Sequence, residues 1–123
     1  MDIKEEIISA FRYINANVTT EKNKIHITFT FNKFSYDDWT MHLTTDNGKE
    51  VDITCGSIWI TMDNYVFMLA ELKNHKLMVA RYYDGMTMSV ERHGKLKIRM
   101  TEKTVTLDVI FKRKKLKVQR PCP

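Results

Sequence analysis

The chain of 123 residues is long enough for one domain with a single core and too short for two domains of ordinary size. Hydrophobic residues make up 43% and charged residues 28%, which is typical of a globular protein and excludes disordered, collagenous and disulfide-dense classes. The net charge of +5 is unevenly distributed along the chain. Residues 1–91 hold nine Lys or Arg and thirteen Asp or Glu, whereas residues 92–123 hold eleven Lys or Arg and two Asp or Glu. A basic region of this kind favours a polyanionic partner.

The first half of the sequence predicts a helix followed by four strands. Apolar residues recur at three- and four-residue spacing over residues 2–16, which is the pattern of an amphipathic helix. The Asn47-Gly48 pair is typical of a tight hairpin turn. Alternating apolar residues and turn residues predict strands over residues 24–31, 39–44, 51–55 and 58–60.

The second half predicts the same order again. Apolar residues at Tyr65, Met68, Leu69 and Leu72 follow a group of capping side chains and predict a helix of about residues 64–74. Turns at Asp84-Gly85 and His93-Gly94 separate the strands that follow. These strands are predicted over residues 77–83, 86–91, 95–100 and 105–111.

These elements predict an α+β fold of two antiparallel four-stranded units, each with an amphipathic helix, in the order α-ββββ-α-ββββ. We expect residues 1–111 to form one domain and residues 112–123 to form a basic C-terminal tail. The apolar residues after Phe111 fall on the opposite parity, so the last strand is expected to bulge or end near Lys112.

The basic quarter contains the strongest candidate binding residues. Lys95, Lys97 and Arg99 alternate with apolar residues, so three cations are expected about 7 Å apart on one sheet face. A nucleic acid backbone can follow cations at that spacing. Protection of an exposed strand edge is an equally weighted interpretation. Lys103, in the turn that follows, is included in the candidate site.

The tail is denser in charge, with six cations within residues 112–120. Three interpretations stay open: a nuclear import signal, a nucleic-acid-binding arm and a solubilising tail. We expect an intracellular protein, because the acidic start resembles no secretory signal and no apolar run has the length of a membrane span. The run from Lys112 to Lys117 resembles an import signal, so the nucleus is the expected compartment and the cytoplasm is the alternative. The candidate residues of the tail are Lys112, Arg113, Lys114, Lys115, Lys117 and Arg120.

Aromatic residues matter because proteins that bind single strands combine a cationic groove with stacking platforms. Tyr36 and Trp39 cluster around a predicted loop with Phe34. Tyr82 and Tyr83 are adjacent in a predicted strand, so they cannot both be buried. These four Tyr and Trp residues join the candidate site as base-stacking groups.

No pattern in the sequence predicts catalysis or a cofactor. The four histidines have no spacing typical of a metal site, and two cysteines are too few for a disulfide framework. The four glycines are each explained by a predicted turn. Asp37-Asp38 could hold a cation, but a solvated turn is the favoured interpretation. We therefore expect a protein that is not an enzyme and has no cofactor or metal.

Residues 56–72, which follow three predicted antiparallel strands, have the sequence GSIWITMDNYVFMLAEL. A short strand that leads through a capping residue into an aromatic- and Leu-bearing helix resembles the single-stranded-DNA-binding transcriptional regulators, which include positive cofactor four, the Whirly proteins and the Pur-alpha repeats. The resemblance covers about residues 24–74 and implies binding of single strands on a sheet face and assembly through helices. The residues at comparable places are Ile60, Met62, Asp63, Phe67 and Leu72.

We predict a non-enzymatic nucleic-acid-binding protein that prefers single-stranded DNA or RNA and acts in transcription or replication. A homo-oligomer is consistent with the resemblance, and a membrane is not an expected partner. The alternative is a protein-protein interaction module, an inhibitor or adaptor, whose basic tail serves localisation.

Overall fold

The computed structural model describes residues 3–54, 56–62, 65–72, 76–83 and 86–111. Within these residues there is one helix, α1, at Ile3–Tyr13, and the other elements are strands. The strands are β1 Asn17–Glu21, β2 Lys24–Asp37, β3 Thr40–Thr45, β4 Glu50–Thr54, β5 Ser57–Met62, β6 Tyr65–Leu72, β7 Lys76–Tyr83, β8 Met86–Met100 and β9 Thr104–Phe111.

The strands form one curled antiparallel sheet in which each strand pairs with the next along the chain. β9 also returns to pair with β2, from Lys24↔Ile110 to Thr30↔Thr104. β2 and β8 are long because each is shared by two parts of the sheet. The first half of β2 pairs with β1 and β9 and its second half with β3, while β8 pairs first with β7 and then with β9.

The core lies between α1 and the concave side of the sheet. Ile7 and Phe11 of the helix are fully buried, and the Phe11 ring stacks on Phe29 of β2 with 6.5 Å between ring centroids. Glu6, also buried, forms an ion pair with Arg81 of β7 at 3.0 Å. The helix therefore contacts both the β2 side and the β7 side of the sheet. Within the described residues no helix is long and apolar enough to cross a membrane.

The predicted arrangement of two α-ββββ units is wrong, because the second helix does not form. Residues 65–72 are strand β6, paired with β5 on one side and β7 on the other. Phe67 and Leu69 are buried on one face of β6, and Met68 and Ala70 are buried on the other. A strand buried on both faces is apolar at nearly every position, as β6 is over residues 66–70, so it also satisfies the i, i+3, i+4, i+7 pattern of a helix.

The turn predicted at His93-Gly94 is also wrong, because β8 continues through it to Met100. A Cβ atom at Gly94 would lie 2.6 Å from the carbonyl oxygen of Ile110 and 3.2 Å from Leu77 Cβ. Gly94 is thus required by a close backbone approach at the point where β8 changes partner from β7 to β9. The turn predicted at Asp84-Gly85 lies outside the described residues.

Several local predictions are confirmed. The first helix, predicted over residues 2–16, forms over Ile3–Tyr13, and Asn15 follows it with a φ of 59°. The Asn47-Gly48 turn joins β3 to β4, with Gly48 at a φ of 83°. The sequence did not predict β1, because Val18 is its only apolar residue and the strand is mostly exposed. β9 is described up to Phe111, and the predicted tail 112–123 lies outside the described residues.

Candidate nucleic-acid interface

The alternation predicted for the second half of β8 is confirmed. Leu96 is buried in the core, whereas Lys97 and Arg99 are exposed and Lys95 is half-buried. The register places Lys97 opposite Asp108 and Arg99 opposite Thr106 of β9. The three predicted cations therefore form a row on the outer face of the sheet.

Strands β9 and β2 contribute polar side chains to the same face. Cross-strand pairing places His26 beside Asp108 and Thr28 beside Thr106, and side chains on paired residues share a sheet face. We call this surface the cationic face. It is formed by Lys95, Lys97 and Arg99 of β8, Thr104, Thr106 and Asp108 of β9, and Lys24, His26 and Thr28 of β2.

Glu21 of β1 lies opposite Lys24 at the border of the cationic face. The acidic residue within the face, Asp108, is held by β2. Its Oδ1 lies 2.6 Å from His26 Nδ1 and 3.7 Å from Lys24 Nζ. Burial raises the pKa of Asp108, but the hydrogen bond with His26 and the charge of Lys24 outweigh it, so the pKa is lower than the ordinary value. Asp108 is therefore ionised at neutral pH and already paired.

The three cations of β8 differ from Lys24, which forms an ion pair with Asp108. Among the described residues, none of Lys95, Lys97 and Arg99 takes part in an ion pair. Two carboxylates lie near the row without forming an ion pair with it: Asp108 is the cross-strand neighbour of Lys97, and Glu71 accepts a hydrogen bond from the Leu96 N–H at 3.0 Å. The cationic face can therefore accept an external anion without first breaking an internal ion pair.

Lys103 lies beyond this row, in the exposed turn between β8 and β9. Its carbonyl oxygen accepts a hydrogen bond from the Phe31 N–H at 2.9 Å, and its side chain lines a cleft of about 590 Å³. The cleft mixes cations and carboxylates around two aromatic rings, so it is not a second cationic patch. Its lining includes Phe31, Lys33, Phe34, Asp46, Glu102 and Lys103.

The aromatic candidates Tyr36 and Trp39 are exposed on the β2–β3 hairpin, with 60% and 78% of their surfaces accessible, and Phe34 beside them is 53% exposed. Trp39 was expected to begin the second strand but lies in the turn. Asp38 and Trp39 have φ angles of 44° and 64°, which identifies a two-residue turn of type I′. We call Phe34, Tyr36 and Trp39 the aromatic hairpin.

A β-bulge between Phe31 and Lys33 separates the aromatic hairpin from the cationic face. Odd residues of β2 point to the core before the bulge, whereas Phe34 after it lies opposite the buried Leu43. Tyr36 is also ten residues from His26, about 33 Å along an extended strand. The structure thus places cations and aromatics at the two ends of β2, on opposite faces.

The other predicted site residues are only partly located. Tyr82 and Tyr83 lie in the last residues of β7, opposite Val66 and Tyr65 of β6, and their side chains lie outside the described part of the structure. The six cations of residues 112–120 also lie outside it. Sequence reasoning missed Lys24 and Thr28, because their position beside β8 depends on the pairing of β2 with β9.

His42 of β3 is the centre of a second polar cluster, on the outer face. Its Nδ1 lies 2.7 Å from Asp52 Oδ1 of β4, and its Nε2 lies 2.5 Å from Asp37 Oδ1 at the end of β2. The hydrogen bonds with Asp52 and then Asp37 raise the pKa of His42 above its usual value. A protonated His42 thus links three strands. Within the described chain, no group of three or more His, Cys, Asp or Glu is arranged to hold a metal ion.

No protein-family model, curated protein or solved structure matches the chain. A ligand can therefore be proposed only from the charge, exposure and strand pairing of the described residues.

Proposed function

We propose that the protein is a non-enzymatic nucleic-acid-binding protein and that the cationic face contacts the phosphates. The observation that supports this most is the row of Lys95, Lys97 and Arg99, which lacks ion pairs within the described residues. Alternate residues of a strand are about 7 Å apart, so successive phosphates of one strand can meet successive cations. The hydroxyls of Thr28 and Thr106 add hydrogen-bonding groups suited to phosphate and sugar oxygens.

A preference for single strands follows from the aromatic hairpin. Exposed rings bind unpaired bases by stacking, and a base inside a duplex does not offer its face. A flexible single strand several nucleotides long can extend from the cationic face along β2 to Tyr36 and Trp39, whereas a stiff duplex cannot curve around the bulge. We base the proposal on these charges and rings rather than on the resemblance to single-strand-binding regulators, because the helix of that resemblance is β6.

The basic tail belongs to the same proposal. Its six cations follow β9 in the sequence and would add phosphate contacts, and their clustering also suits a nuclear import signal. A role in transcription or replication within the nucleus is the corresponding cellular proposal.

The test compares two triple variants that each remove three positive charges. The site variant combines Lys95→Gln, Lys97→Gln and Arg99→Gln, and the matched control combines Arg12→Gln, Lys22→Gln and Lys49→Gln, which lie on α1 and in turns. Binding to a labelled single-stranded oligonucleotide is followed by fluorescence anisotropy at several salt concentrations. At about 0.7 per phosphate contact, the slope of log K against log salt should become shallower by about 2 in the site variant only.

Equal slopes in the two variants would exclude the cationic face as the phosphate site. If duplex DNA competes as well as the single strand, the stacking part of the proposal fails and nonspecific polyanion binding remains. The interaction-module alternative is favoured by a separate observation, the open edge of β2.

A further inference from the structure

The second half of β2 has an open backbone edge. Residues 33–37 pair with β3 on one side, and the pairing with β9 on the other side ends at Thr30↔Thr104. No described strand covers this edge beyond that point. All residues from Asn32 to Asp37 are exposed, and an exposed edge of this kind is a template for another strand.

The alternation of the strand shows which backbone groups are available. Asp37 and Thr40 flank a two-residue turn, so they are a hydrogen-bonded pair, and Lys33 and Ser35 share the orientation of Asp37. Phe34 and Tyr36 therefore direct their N–H and C=O groups away from β3. Two donors and two acceptors face outwards on the open edge.

We propose that this edge pairs with the same edge of a second copy of the chain, antiparallel, around a two-fold axis at Ser35. In that register Lys33 lies opposite Asp37 of the second copy, and Phe34 lies opposite Tyr36. The first pair has complementary charge and the second is an aromatic cross-strand pair, and both stabilise antiparallel pairing. The short segment is thus self-complementary in charge, side-chain type and backbone hydrogen bonding.

The charges of this segment support a second copy as the occupant. Lys33 takes part in no ion pair within the described residues, and Asp37 is 69% exposed with His42 on one of its oxygens. A lysine on an open edge normally prevents pairing. Here the two-fold register supplies a carboxylate for each lysine, so the obstacle to pairing becomes a contact between copies.

A cross-linking experiment tests the register. Ser35 faces its own copy at the axis as a non-hydrogen-bonded pair, about 4.5 Å apart at Cα, which is within the range of a disulfide. We would introduce Ser35→Cys in the full chain carrying Cys55→Ser and Cys122→Ser, with the exposed Glu50→Cys as the matched control. Mild oxidation should give a covalent dimer of twice the 14.6 kDa chain mass from the first variant and not from the control.

Sedimentation velocity tests the charge pairing. Lys33→Asp replaces two attractive pairs with two repulsive ones and should weaken dimerisation at least about tenfold. Asp37→Lys should do the same, and the double variant should restore the dimer because the charges are again complementary. Monomeric parent protein at all concentrations, or cross-linking equal to the Glu50→Cys control, would overturn the proposal.

The dimer and the nucleic-acid proposal fail separately. The triple Gln variant of the cationic face should still dimerise, and Lys33→Asp should keep the salt slope of oligonucleotide binding, because Lys33 is not part of the cationic face. A parent protein that stays monomeric but shows the expected difference in salt slope would overturn the dimer alone, and a dimeric parent whose salt slope is the same in the site variant and its control would overturn the cationic face alone.

Discussion

Trp39 combines an unfavourable backbone conformation with an exposed side chain. Its φ of 64° lies in the left-handed region, which costs a residue with a Cβ about 1–2 kcal/mol. With 78% of its surface accessible, the indole recovers little of this through packing in the single chain. Strained residues of this kind are concentrated at binding sites, so the position indicates a role for Trp39 outside the core.

Trp39→Gly should therefore separate stability from binding. Glycine adopts the left-handed region without penalty, so the free energy of unfolding should rise by about 1 kcal/mol in chemical denaturation. Affinity for a single-stranded oligonucleotide should fall, because one stacked base is worth about 1–3 kcal/mol. Asp38→Gly is the control, since Asp38 has a φ of 44° in the same turn and no ring. It should change stability little, because Asp tolerates the left-handed region, and it should leave affinity unchanged. A Trp39→Gly protein that binds like the parent would contradict the stacking role.

His42 makes stability depend on pH in a predictable direction. Hydrogen bonds with Asp52 and Asp37 raise its pKa above 6.5 in the folded protein. The stabilisation is therefore fully present below pH 6.5 and is lost as the pH rises through the folded pKa. Unfolding free energies measured across this range should fall with pH in the parent, and His42→Gln should remove that part of the decrease.

A proton NMR titration of His42 measures the same effect directly. Asp52→Asn should lower the pKa of His42 more than Asp37→Asn, because the hydrogen bond with Asp52 is the larger cause of the shift. The opposite order, or a pKa at or below 6.5 in the parent, would show that the cluster does not hold a proton as the geometry indicates.

Strands with one buried and one solvent-exposed face were predicted correctly from the sequence. β2 and β9 alternate cleanly, with Ile25, Ile27, Val105 and Leu107 buried, and their periodicity alone identifies them. β6 has no such contrast, because its neighbours β5 and β7 place it where both faces are covered. Its burial depends on the whole sheet, and a local pattern of eight residues could not reveal that.

In the candidate site, too, the sequence predicted the residues that follow from a local pattern and missed those that depend on long-range pairing. The row of Lys95, Lys97 and Arg99 could be predicted because alternation is local. The addition of Lys24 and Thr28 could not, since it needs pairing between residues about eighty positions apart, such as His26 and Asp108. The separation of Tyr36 from the cations was equally hidden, because a single bulge after Phe31 reverses the faces of β2.

For the whole molecule, α1 is the element that joins distant parts of the curled sheet. Phe11 stacks on Phe29 of β2, and Glu6 binds Arg81 of β7. Tyr13, at the end of the helix, accepts a hydrogen bond from Lys49 Nζ at 3.2 Å, next to the β3–β4 turn. The helix thus contacts β2, β7 and the β3–β4 turn from the concave side of the sheet. We therefore expect its packing to maintain the curvature of the sheet.

Two aromatic residues on α1 test this role, because they differ in burial and lie two positions apart. Phe11 is fully buried and Tyr13 is 41% exposed. Phe11→Ala should leave a cavity against β2 and reduce the free energy of unfolding by about 3–5 kcal/mol. Tyr13→Ala loses the contact of Lys49 with the ring, 4.3 Å from the centroid, and should cost about 1 kcal/mol or less. Both values come from urea denaturation followed by circular dichroism. Losses of about 1 kcal/mol or less in both variants would show that the concave core does not depend on α1, since a helix lying loosely on the sheet would lose little at either position.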